Sequence, residues 1–574
     1  MKEAQGWLEA FAAALSLREL AAVPRLFHED CYWRDLVAFT WNIRTSEGPV
    51  EVQAMLAATL GVAEPSSFRI ISYQSSDGIG EAWFSFETAV GRGIGHVRLK
   101  KRRAWTLLTT LQELKGFEEK SGRTRESGLE PASQPAQDPY VAIVGGGQCG
   151  IALAARLKRL NVPAVVLEKN ARAGDSWRKR YASLVLHDPV WYDHLPYLPF
   201  PDHWPVFSPK DRMGDWLEMY AKVMQLDYRG STECKSARYD EAAERWEIAV
   251  EREGQPQTLR AKHLVLATGM SGFPNMPQIP GAADFAGKLV HSSGHDSGAA
   301  WRGKRCVIVG ANNSAHDIAA DLVQHGAAEV TMIQRSPTVV VKSDALMELA
   351  WGKLYSEAAV ERGISTALAD LTVASTPFRL LPSFQKPIYD AILKRDAALY
   401  DGLAKAGFQF DMGEDGSGIH SVYLRRGGGY YIDTGASQMV IDGRIGVLPR
   451  TEIERLNTHS VTLRNGKELP ADLVVCATGY GSMNQWAAKL ISKEVADKVG
   501  KCWGLGSATR YDPSPWVGEL RNMWKPTQQP GLWFHGGNLM QARHYSLYLA
   551  LQLKARYEGL PTPVFFIDPV HHLQ

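Results

Sequence analysis

The sequence predicts an α/β protein in which two successive units of strand, glycine turn, helix and strand follow a small α+β domain. The first unit begins at Tyr140 and the second at Arg305. A third observation is that helical spacing of apolar residues at the N-terminus gives way to several short strand patterns. We expect an N-terminal domain (residues 1–118), a linker (119–138), the first unit (139–298), the second unit with a helical insertion (299–445), and a return to the first unit with a C-terminal helix (446–574).

The first unit carries the pattern of a dinucleotide-binding turn. An apolar strand leads into Gly145-x-Gly147-x-x-Gly150. Gly145 permits the tight turn, Gly147 leaves room for a pyrophosphate, and Gly150 lets the helix pack closely on the strand. The next strand ends on Glu168, beside Lys169, where a carboxylate accepts hydrogen bonds from a ribose. These residues predict a Rossmann-like dinucleotide site. A unit of the same shape without a ligand is the alternative.

The second unit repeats this device with a different residue at its ribose end. An apolar strand leads into Gly310, the Asn313-Ser314 turn opens a helix, and the next strand ends in Arg335-Ser336. An arginine in that place favours a ribose 2′-phosphate over a free hydroxyl. The unit whose strand ends at Glu168 therefore predicts an FAD site, and the unit whose strand ends at Arg335 predicts an NADPH site. For Arg335 the alternative is an ordinary solvated side chain.

Two further strand patterns, Leu264–Gly269 and Leu473–Tyr480, each end at a glycine turn. We expect both strands to return the chain to the sheet of the first unit. Between Leu346 and Gly435 lies a mixed segment with helical patterns at 349–366 and 387–406. We expect this insertion to roof the active site.

The N-terminal domain shows helical patterns before residue 27 and at 50–60, followed by four strand patterns between residues 68 and 114. Helices followed by a curled antiparallel sheet form an α+β layout, which resembles the NTF2/SnoaL-like cone. In that family the segment carrying Trp33, Arg34 and Asp35 would line the pocket. These three residues form either a small-molecule pocket or an aromatic core with a satisfied ion pair, and the fold alone does not assign a chemistry.

Composition excludes several classes of protein. The chain has 64 Lys and Arg against 62 Asp and Glu, which predicts no nucleic-acid partner. Its six cysteines show no CxxC or zinc spacing, so we expect buried thiols, no metal site and a cytoplasmic location. The N-terminus lacks the apolar core of a signal peptide, and we expect no membrane span.

Five motifs occur in an order that resembles the class B flavin-containing monooxygenases over roughly residues 138–559. They are GxGxxG at 145–150, GDSWR at 174–178, FxGxxxH at 285–291, the Asn313-Ser314 turn and ATGY at 477–480. The stretch YASLVLHDP is similar to the YUCCA type, which forms auxin from indole-3-pyruvate. The resemblance implies cofactor contacts at Trp177 and Arg178 and a flavin neighbour, and candidate catalytic residue, at His187. A core histidine is the alternative for His187. The chain departs from the family at His295, where monooxygenases have Tyr or Phe and Baeyer-Villiger enzymes have Trp.

The resemblance also implies the reaction. NADPH reduces FAD, O2 forms a C4a-hydroperoxyflavin, and one oxygen atom passes to a small organic substrate. Protein residues supply binding, orientation and exclusion of water. A glycine turn at Gly537-Asn538 opens the C-terminal helix, whose N-terminus would stabilise negative charge on the flavin, so we expect a second flavin contact there. A homodimer is also implied.

Three alternatives for the reaction stay open beside N- or S-oxygenation. They are Baeyer-Villiger oxidation of a ketone, oxidative decarboxylation of a 2-oxo acid such as indole-3-pyruvate, and a non-catalytic nucleotide-binding scaffold. A disulfide reductase would need a redox pair of cysteines beside the flavin. Cys149 has no neighbouring cysteine in the sequence, which argues against that class.

Overall fold

The computed structural model describes residues 1–125, 127, 138–507, 509, 512 and 515–570. Most of the predicted linker, 119–138, lies outside the described residues. Among the helices of the described ranges, none is long and apolar enough to cross a membrane. In the same ranges, no three His, Cys, Asp or Glu side chains are grouped so that they could hold a metal ion.

The N-terminal domain is one six-stranded sheet with two helices. Its strand order is β2-β1-β6-β5-β4-β3. The elements are α1 (Lys2–Ser16), β1 (Phe27–Leu36), β2 (Ile43–Glu47), α2 (Gly48–Ala63), β3 (Ser66–Ser76), β4 (Ile79–Glu87), β5 (Gly91–Lys100) and β6 (Arg103–Leu114). The helix predicted just before residue 27 is wrong. Val23–Leu26 makes only a 3₁₀ turn, because Pro24 lacks the N–H that a longer helix needs.

Trp33, Arg34 and Asp35 lie on β1 and are all buried. The carboxylate of Asp35 accepts hydrogen bonds from the Thr40 N–H and the Thr109 hydroxyl. Arg34 instead pairs with Glu519, far along the chain. The three residues are core and the ion pair is satisfied, with Glu519 as the partner of Arg34.

The first nucleotide-binding unit is built on a five-stranded parallel sheet, ordered β27-β13-β7-β8-β9, in which β27 (Leu532–Phe534) comes from the return segment. Its elements up to residue 291 are β7 (Val141–Val144), α3 (Gln148–Arg159), β8 (Ala164–Leu167), α4 (Asp175–Arg178), α5 (Val190–Asp193), α6 (Lys210–Val223), β9 (Tyr228–Arg229), β10 (Thr232–Asp240), β11 (Arg245–Arg252), β12 (Gln255–Ala261), β13 (His263–Leu266), β14 (Ser271–Pro274) and β15 (Lys288–His291). All four residues of β7 are buried, as expected for a central parallel strand.

The second unit and its insertion follow. They comprise β16 (Arg305–Val309), α7 (Asn313–Gln324), β17 (Glu329–Gln334), β18 (Thr338–Lys342), α8 (Ser343–Leu346), a π-helix (Met347–Trp351), α9 (Glu357–Glu361), α10 (Thr366–Ala374), α11 (Leu381–Arg395), α12 (Ala397–Lys405), β19 (Phe410–Asp411), α13 (Gly418–Arg426), β20 (Tyr430–Asp433), α14 (Ala436–Ile441) and β21 (Gly446–Pro449). Each of the two long helices predicted in the insertion is divided into shorter ones. The second divides at Asp396, between α11 and α12.

The return segment contains β22 (Ile453–Asn457), β23 (Ser460–Leu463), β24 (Glu468–Pro470), β25 (Leu473–Cys476), β26 (Tyr480–Ser482), α15 (Asn484–Leu490), α16 (Lys493–Val499), β27 (Leu532–Phe534) and α17 (Leu539–Tyr557). The prediction that Leu473–Tyr480 rejoins the first sheet is wrong. β25 pairs with β15 and β16 in the second parallel sheet, and β27 supplies the edge of the first. A parallel strand therefore borders the glycine-turn strand in each sheet.

Helix α17 is almost entirely buried and packs against several parts of the chain. Sixteen of its nineteen residues are buried, which explains why its sequence shows little amphipathic pattern. It contacts α3 of the first unit, β6 of the N-terminal domain, α5, and α10 of the insertion. Helix α17 therefore joins the first unit, the N-terminal domain and the insertion.

Candidate active site

The first glycine turn has the geometry of a phosphate cradle. Gly145 adopts φ +111°, and a Cβ there would lie 2.3 Å from the Ala267 carbonyl oxygen. Gly147 immediately precedes α3, and a Cβ there would meet nothing closer than the Ser176 hydroxyl at 3.9 Å. Gly150 is packed against the Gly145 carbonyl. The turn is thus tightly held at both ends, with open space at Gly147 beside the helix N-terminus.

Glu168 lies at this turn. Its carboxylate is buried and accepts hydrogen bonds from the N–H groups of Gly146 (2.7 Å) and Asn170 (2.8 Å). Lys169 is exposed on the outer side of the same strand end. The acid therefore orients the glycine turn and presents its oxygens beside it, as a ribose contact requires.

Trp177 and Arg178 belong to the short helix α4. Trp177 is partly buried and packs against apolar residues of both nucleotide-binding units. Arg178 forms ion pairs with Asp175 (3.0 Å), Asp215 (2.8 Å) and Glu218 (2.9 Å). Its guanidinium joins α4 to α6, so the structure gives it a supporting position beside the cradle. A direct cofactor contact by either residue stays a prediction.

The second glycine turn repeats the first. Gly310 adopts φ +126°, and a Cβ there would lie 2.5 Å from the Ala477 carbonyl oxygen. Asn313 opens α7, and its side-chain oxygen accepts a hydrogen bond from the Ile432 N–H in β20. Ser314 follows in the first turn of the helix and is partly buried. This loop is therefore attached to the insertion as well as to its own sheet.

Arg335 leaves the end of β17 with 65% of its side chain exposed, and its guanidinium is 3.6 Å from Glu452. Ser336 is partly buried next to it. A long contact between exposed groups contributes little to stability. Arg335 is therefore available to an anionic ligand at the end of the second unit.

His187 lies at the junction of the two units. Its Nε2 is 3.7 Å from Asp317 of α7, and Tyr181 donates a 2.6 Å hydrogen bond to the same carboxylate. Burial raises the pKa of Asp317, and the nearby His187 opposes that rise. His187, which precedes α5 in the first unit, thus interacts electrostatically with Asp317 on α7, the first helix of the second unit.

The Gly537-Asn538 turn comes next to the first cradle. The Gly537 carbonyl lies 3.4 Å from the Gln148 side-chain amide at the start of α3. Asn538 caps α17: its side-chain oxygen accepts from the Gln541 N–H, and its own N–H faces the Gln541 side chain. The Asn538 amide also donates to the Tyr192 hydroxyl at 3.1 Å. Two turns that are almost 400 residues apart are therefore neighbours.

Sequence reasoning missed an acid, Asp188, and two tyrosines, Tyr423 and Tyr430, around this turn. Tyr423 of α13 accepts a hydrogen bond from the Asn538 N–H and donates to Gln541. Burial, and then the charge of Asp188, raise the pKa values of Tyr192 and Tyr430. Burial also raises the pKa of Asp188 itself to about 7. The only sequence signal was that Asp188 follows His187. Nothing in the local sequence shows that Tyr423 and Tyr430 of the insertion lie near enough for the charge of Asp188 to raise their pKa values.

The residues fit the cofactors that the two turns predict. The open position at Gly147 next to a helix N-terminus suits a pyrophosphate, and the exposed Arg335 suits a 2′-phosphate. All six cysteines are unpaired and buried, so disulfide chemistry has no cysteine pair to act through.

The chain is similar to a family of nucleotide-dependent oxidoreductases and to named monooxygenases. Residues 142–364 match the family model described as pyridine nucleotide-disulphide oxidoreductase. The chain is 30% identical over 378 residues to indole-3-pyruvate monooxygenase YUCCA1 of Oryza sativa subsp. japonica, covering 64% of this chain and 85% of that protein. It is 32% identical over 373 residues to the probable indole-3-pyruvate monooxygenase YUCCA8 of Arabidopsis thaliana, covering 62% and 80%.

Two solved structures share the fold over 74% of this chain. An open crystal structure of cyclohexanone monooxygenase matches with a TM-score of 0.52 at 15% identity, over 89% of its own length. A crystal structure of OTEMO in complex with FAD and NADP matches with a TM-score of 0.50 at 17% identity, over 86% of its length.

Proposed function

Since this chain belongs to the class B flavin-dependent monooxygenases, we propose that it uses its FAD and NADPH to oxygenate the nitrogen or sulfur of a small organic substrate. The enzyme is an FAD- and NADPH-dependent monooxygenase: the two plant relatives are named monooxygenases, and a structure that shares the fold was solved with FAD and NADP. In such a reaction NADPH supplies two electrons, one oxygen atom of O2 enters the substrate and the other leaves as water. What is proposed is the substrate class and the roles of individual residues.

The two bound cofactors supply hydride transfer and activation of O2, and the chain's own residues bind and orient them. Gly147 and the start of α3 would hold the FAD pyrophosphate, with Glu168 at the ribose. Gly310, Asn313 and Arg335 would hold NADPH. His187, held near Asp317, and Asn538 would each contact the flavin.

Water must be excluded for oxygen to reach the substrate instead of being lost as hydrogen peroxide. Tyr192 stacks on Trp351, with ring centroids 5.9 Å apart, and meets Tyr355 edge-on at 4.9 Å. Both partners belong to the insertion. This aromatic wall supports the prediction that the insertion roofs the site.

The position of Asp188 is the observation that carries the proposal of N-oxygenation. Asp188 follows His187 in the chain, and its charge helps to raise the pKa values of Tyr192 and Tyr423. Both tyrosine hydroxyls form hydrogen bonds with Asn538. An amine attacks the activated oxygen only as the free base, so a neighbouring group must accept its proton. A carboxyl whose pKa burial raises to about 7 is suited to that transfer near neutral pH.

A second candidate is oxidative decarboxylation of a 2-oxo acid. It is supported by the 30% identity to a rice protein named an indole-3-pyruvate monooxygenase. Baeyer-Villiger oxidation is supported only by the shared fold, which does not define a reaction.

Three further properties are proposals. The strand order of the N-terminal sheet and its two packed helices support an NTF2-like domain. The buried, unpaired cysteines support a cytoplasmic location. The family resemblance supports a homodimer.

The test uses the purified FAD-loaded enzyme with NADPH and O2, and three probes: N,N-dimethylbenzylamine, thioanisole and phenylpyruvate. NADPH consumption, hydrogen peroxide and product are measured together. We expect the amine or the sulfide to be oxygenated while peroxide release falls. Product from phenylpyruvate alone would establish the second candidate. Absence of NADPH oxidation with FAD bound would instead indicate the non-catalytic scaffold.

A further inference from the structure

Arg34 of the N-terminal domain is inserted into the rest of the protein. It is 1% exposed and makes a bidentate pair with Glu519, with N–O distances of 2.7 and 2.9 Å. It also donates to the Tyr545 hydroxyl of α17 at 3.0 Å and to the Ala374 carbonyl at 2.9 Å. One side chain thus binds the return segment, the C-terminal helix and the insertion at once.

Arg98 on β5 approaches the same end of the insertion helix α10. It donates to the carbonyl oxygen of Ser375 at 2.8 Å and to its hydroxyl at 2.9 Å. Ala374 is the last residue of α10 and Ser375 is its C-cap. The carbonyl groups at a helix C-terminus lack partners within the helix and carry partial negative charge, so two arginines there fix its position.

One turn earlier, α10 is joined to the flavin side of the molecule. Asp370 accepts two parallel hydrogen bonds of 2.8 Å from Arg543 of α17. Arg543 also donates to the carbonyl of Tyr192, the residue whose hydroxyl meets Asn538. The described contacts therefore run without a gap from the N-terminal sheet, through α10, to the predicted flavin contact.

We propose that the N-terminal domain acts on catalysis by holding α10 in place over the active site, with Arg34 and Arg98 as positioning residues. Neither arginine touches the predicted cofactor or substrate site. Their role is to keep α10, and through it Tyr192 and Asn538, in the arrangement that excludes water. This inference rests on the proposed monooxygenation, because its functional consequence is the loss of reducing equivalents as hydrogen peroxide.

The test substitutes Arg98, because its acidic partner Glu81 is 29% exposed and can be solvated when the arginine is lost. Arg98→Gln removes the charge and the two contacts to Ser375. Arg98→Lys keeps a cation at the helix end. The control is Arg44→Gln, which removes another contact of the same domain, to Asp568 at 3.2 Å, away from α10.

Two measurements are made on the FAD-loaded, full-length proteins. The first is the rate of hydrogen peroxide release at saturating NADPH with no substrate added, which needs no knowledge of the natural substrate; the measurement is repeated with the best probe. The second is amide hydrogen exchange of α10 and of the first turn of α17. We expect Arg98→Gln to release peroxide at least three times faster than the wild type and to exchange amide hydrogens faster in both segments. Arg98→Lys should bring both rates most of the way back to the wild-type values. Arg44→Gln should match the wild type in both measurements.

Unchanged peroxide release and unchanged exchange in Arg98→Gln would overturn the proposal, as would equal effects of Arg98→Gln and Arg44→Gln. Faster exchange with unchanged peroxide release would also overturn it, since α10 would then be held without consequence for catalysis. Failure of the proposed substrate class is a separate result, because it appears in the wild type as peroxide release that no probe suppresses.

Discussion

The carbonyl oxygen of Ala267 lies 2.3 Å from the position that a Cβ on Gly145 would occupy, and Ala477 stands in the same relation to Gly310 at 2.5 Å. Each alanine begins the turn after a parallel strand that borders the glycine-turn strand. In both nucleotide-binding units the first glycine of the turn is thus packed against the carbonyl of a neighbouring alanine. The backbone itself requires glycine at these two positions, which distinguishes them from a glycine that a ligand requires.

Gly145→Ala and Gly147→Ala are therefore expected to have different effects. Gly145→Ala places a side chain at φ +111° against a carbonyl and should lower the thermal midpoint of the protein. Gly147→Ala has φ −78° and open space, so the fold should be retained while the methyl group obstructs the pyrophosphate. The check is thermal unfolding together with FAD retained after gel filtration. Full FAD retention in Gly147→Ala would contradict the assigned cradle.

Arg335→Ala should weaken the use of NADPH and leave the use of NADH nearly unchanged. A lost hydrogen bond to a charged group is worth about 1.5–3 kcal/mol, which is roughly a 10- to 100-fold fall in kcat/KM. Steady-state kinetics with both nucleotides measure this change. Arg464→Ala is a matched control, because Arg464 is also exposed and pairs with the same Glu452, at 3.2 Å. An equal loss with NADH would mean that Arg335 does not read the 2′-phosphate.

Asp188→Asn should alter how stability depends on pH. Because the folded protein raises the pKa of this carboxyl to about 7, the proton stabilises the folded state. That stabilisation is complete below the ordinary carboxyl value near pH 4 and is lost as pH rises through 7. The asparagine variant should therefore gain thermal stability over the wild type at pH 8, with less gain at pH 5. Asp202→Asn, at a fully exposed carboxyl, is the control. Parallel pH profiles of wild type and Asp188→Asn would refute the assignment.

Asp370→Ala should be strongly destabilising. Asp370 and Arg543 are 3% and 6% exposed, and removal of the acid leaves a buried guanidinium without its counter-charge. Such a loss costs about 3–5 kcal/mol. Asp390→Ala removes an exposed partner of Lys386 and should cost about 0–1 kcal/mol. Denaturant midpoints compare the two variants, and similar midpoints would show that the buried pair does not support α10.

The sequence by itself determined both nucleotide-binding units, since a strand, a glycine turn and a helix within thirty residues are local features with local physical causes. It also determined the C-terminal turn at Asn538, because the capping pattern is contained in four residues. Local patterns did not predict that β25 joins the second sheet, because a buried apolar strand has the same pattern in either sheet.

Only the tertiary structure decided which distant groups meet. No partner for Arg34 could be identified from the sequence, and in the fold it pairs with Glu519, 485 positions away. Folding brings the charge of Asp188 near enough to raise the pKa of Tyr423 on the insertion, and two arginines of another domain fix the end of α10. Ion pairs and pKa shifts of this kind depend on distance and burial, and neither is present in the sequence until the chain has folded.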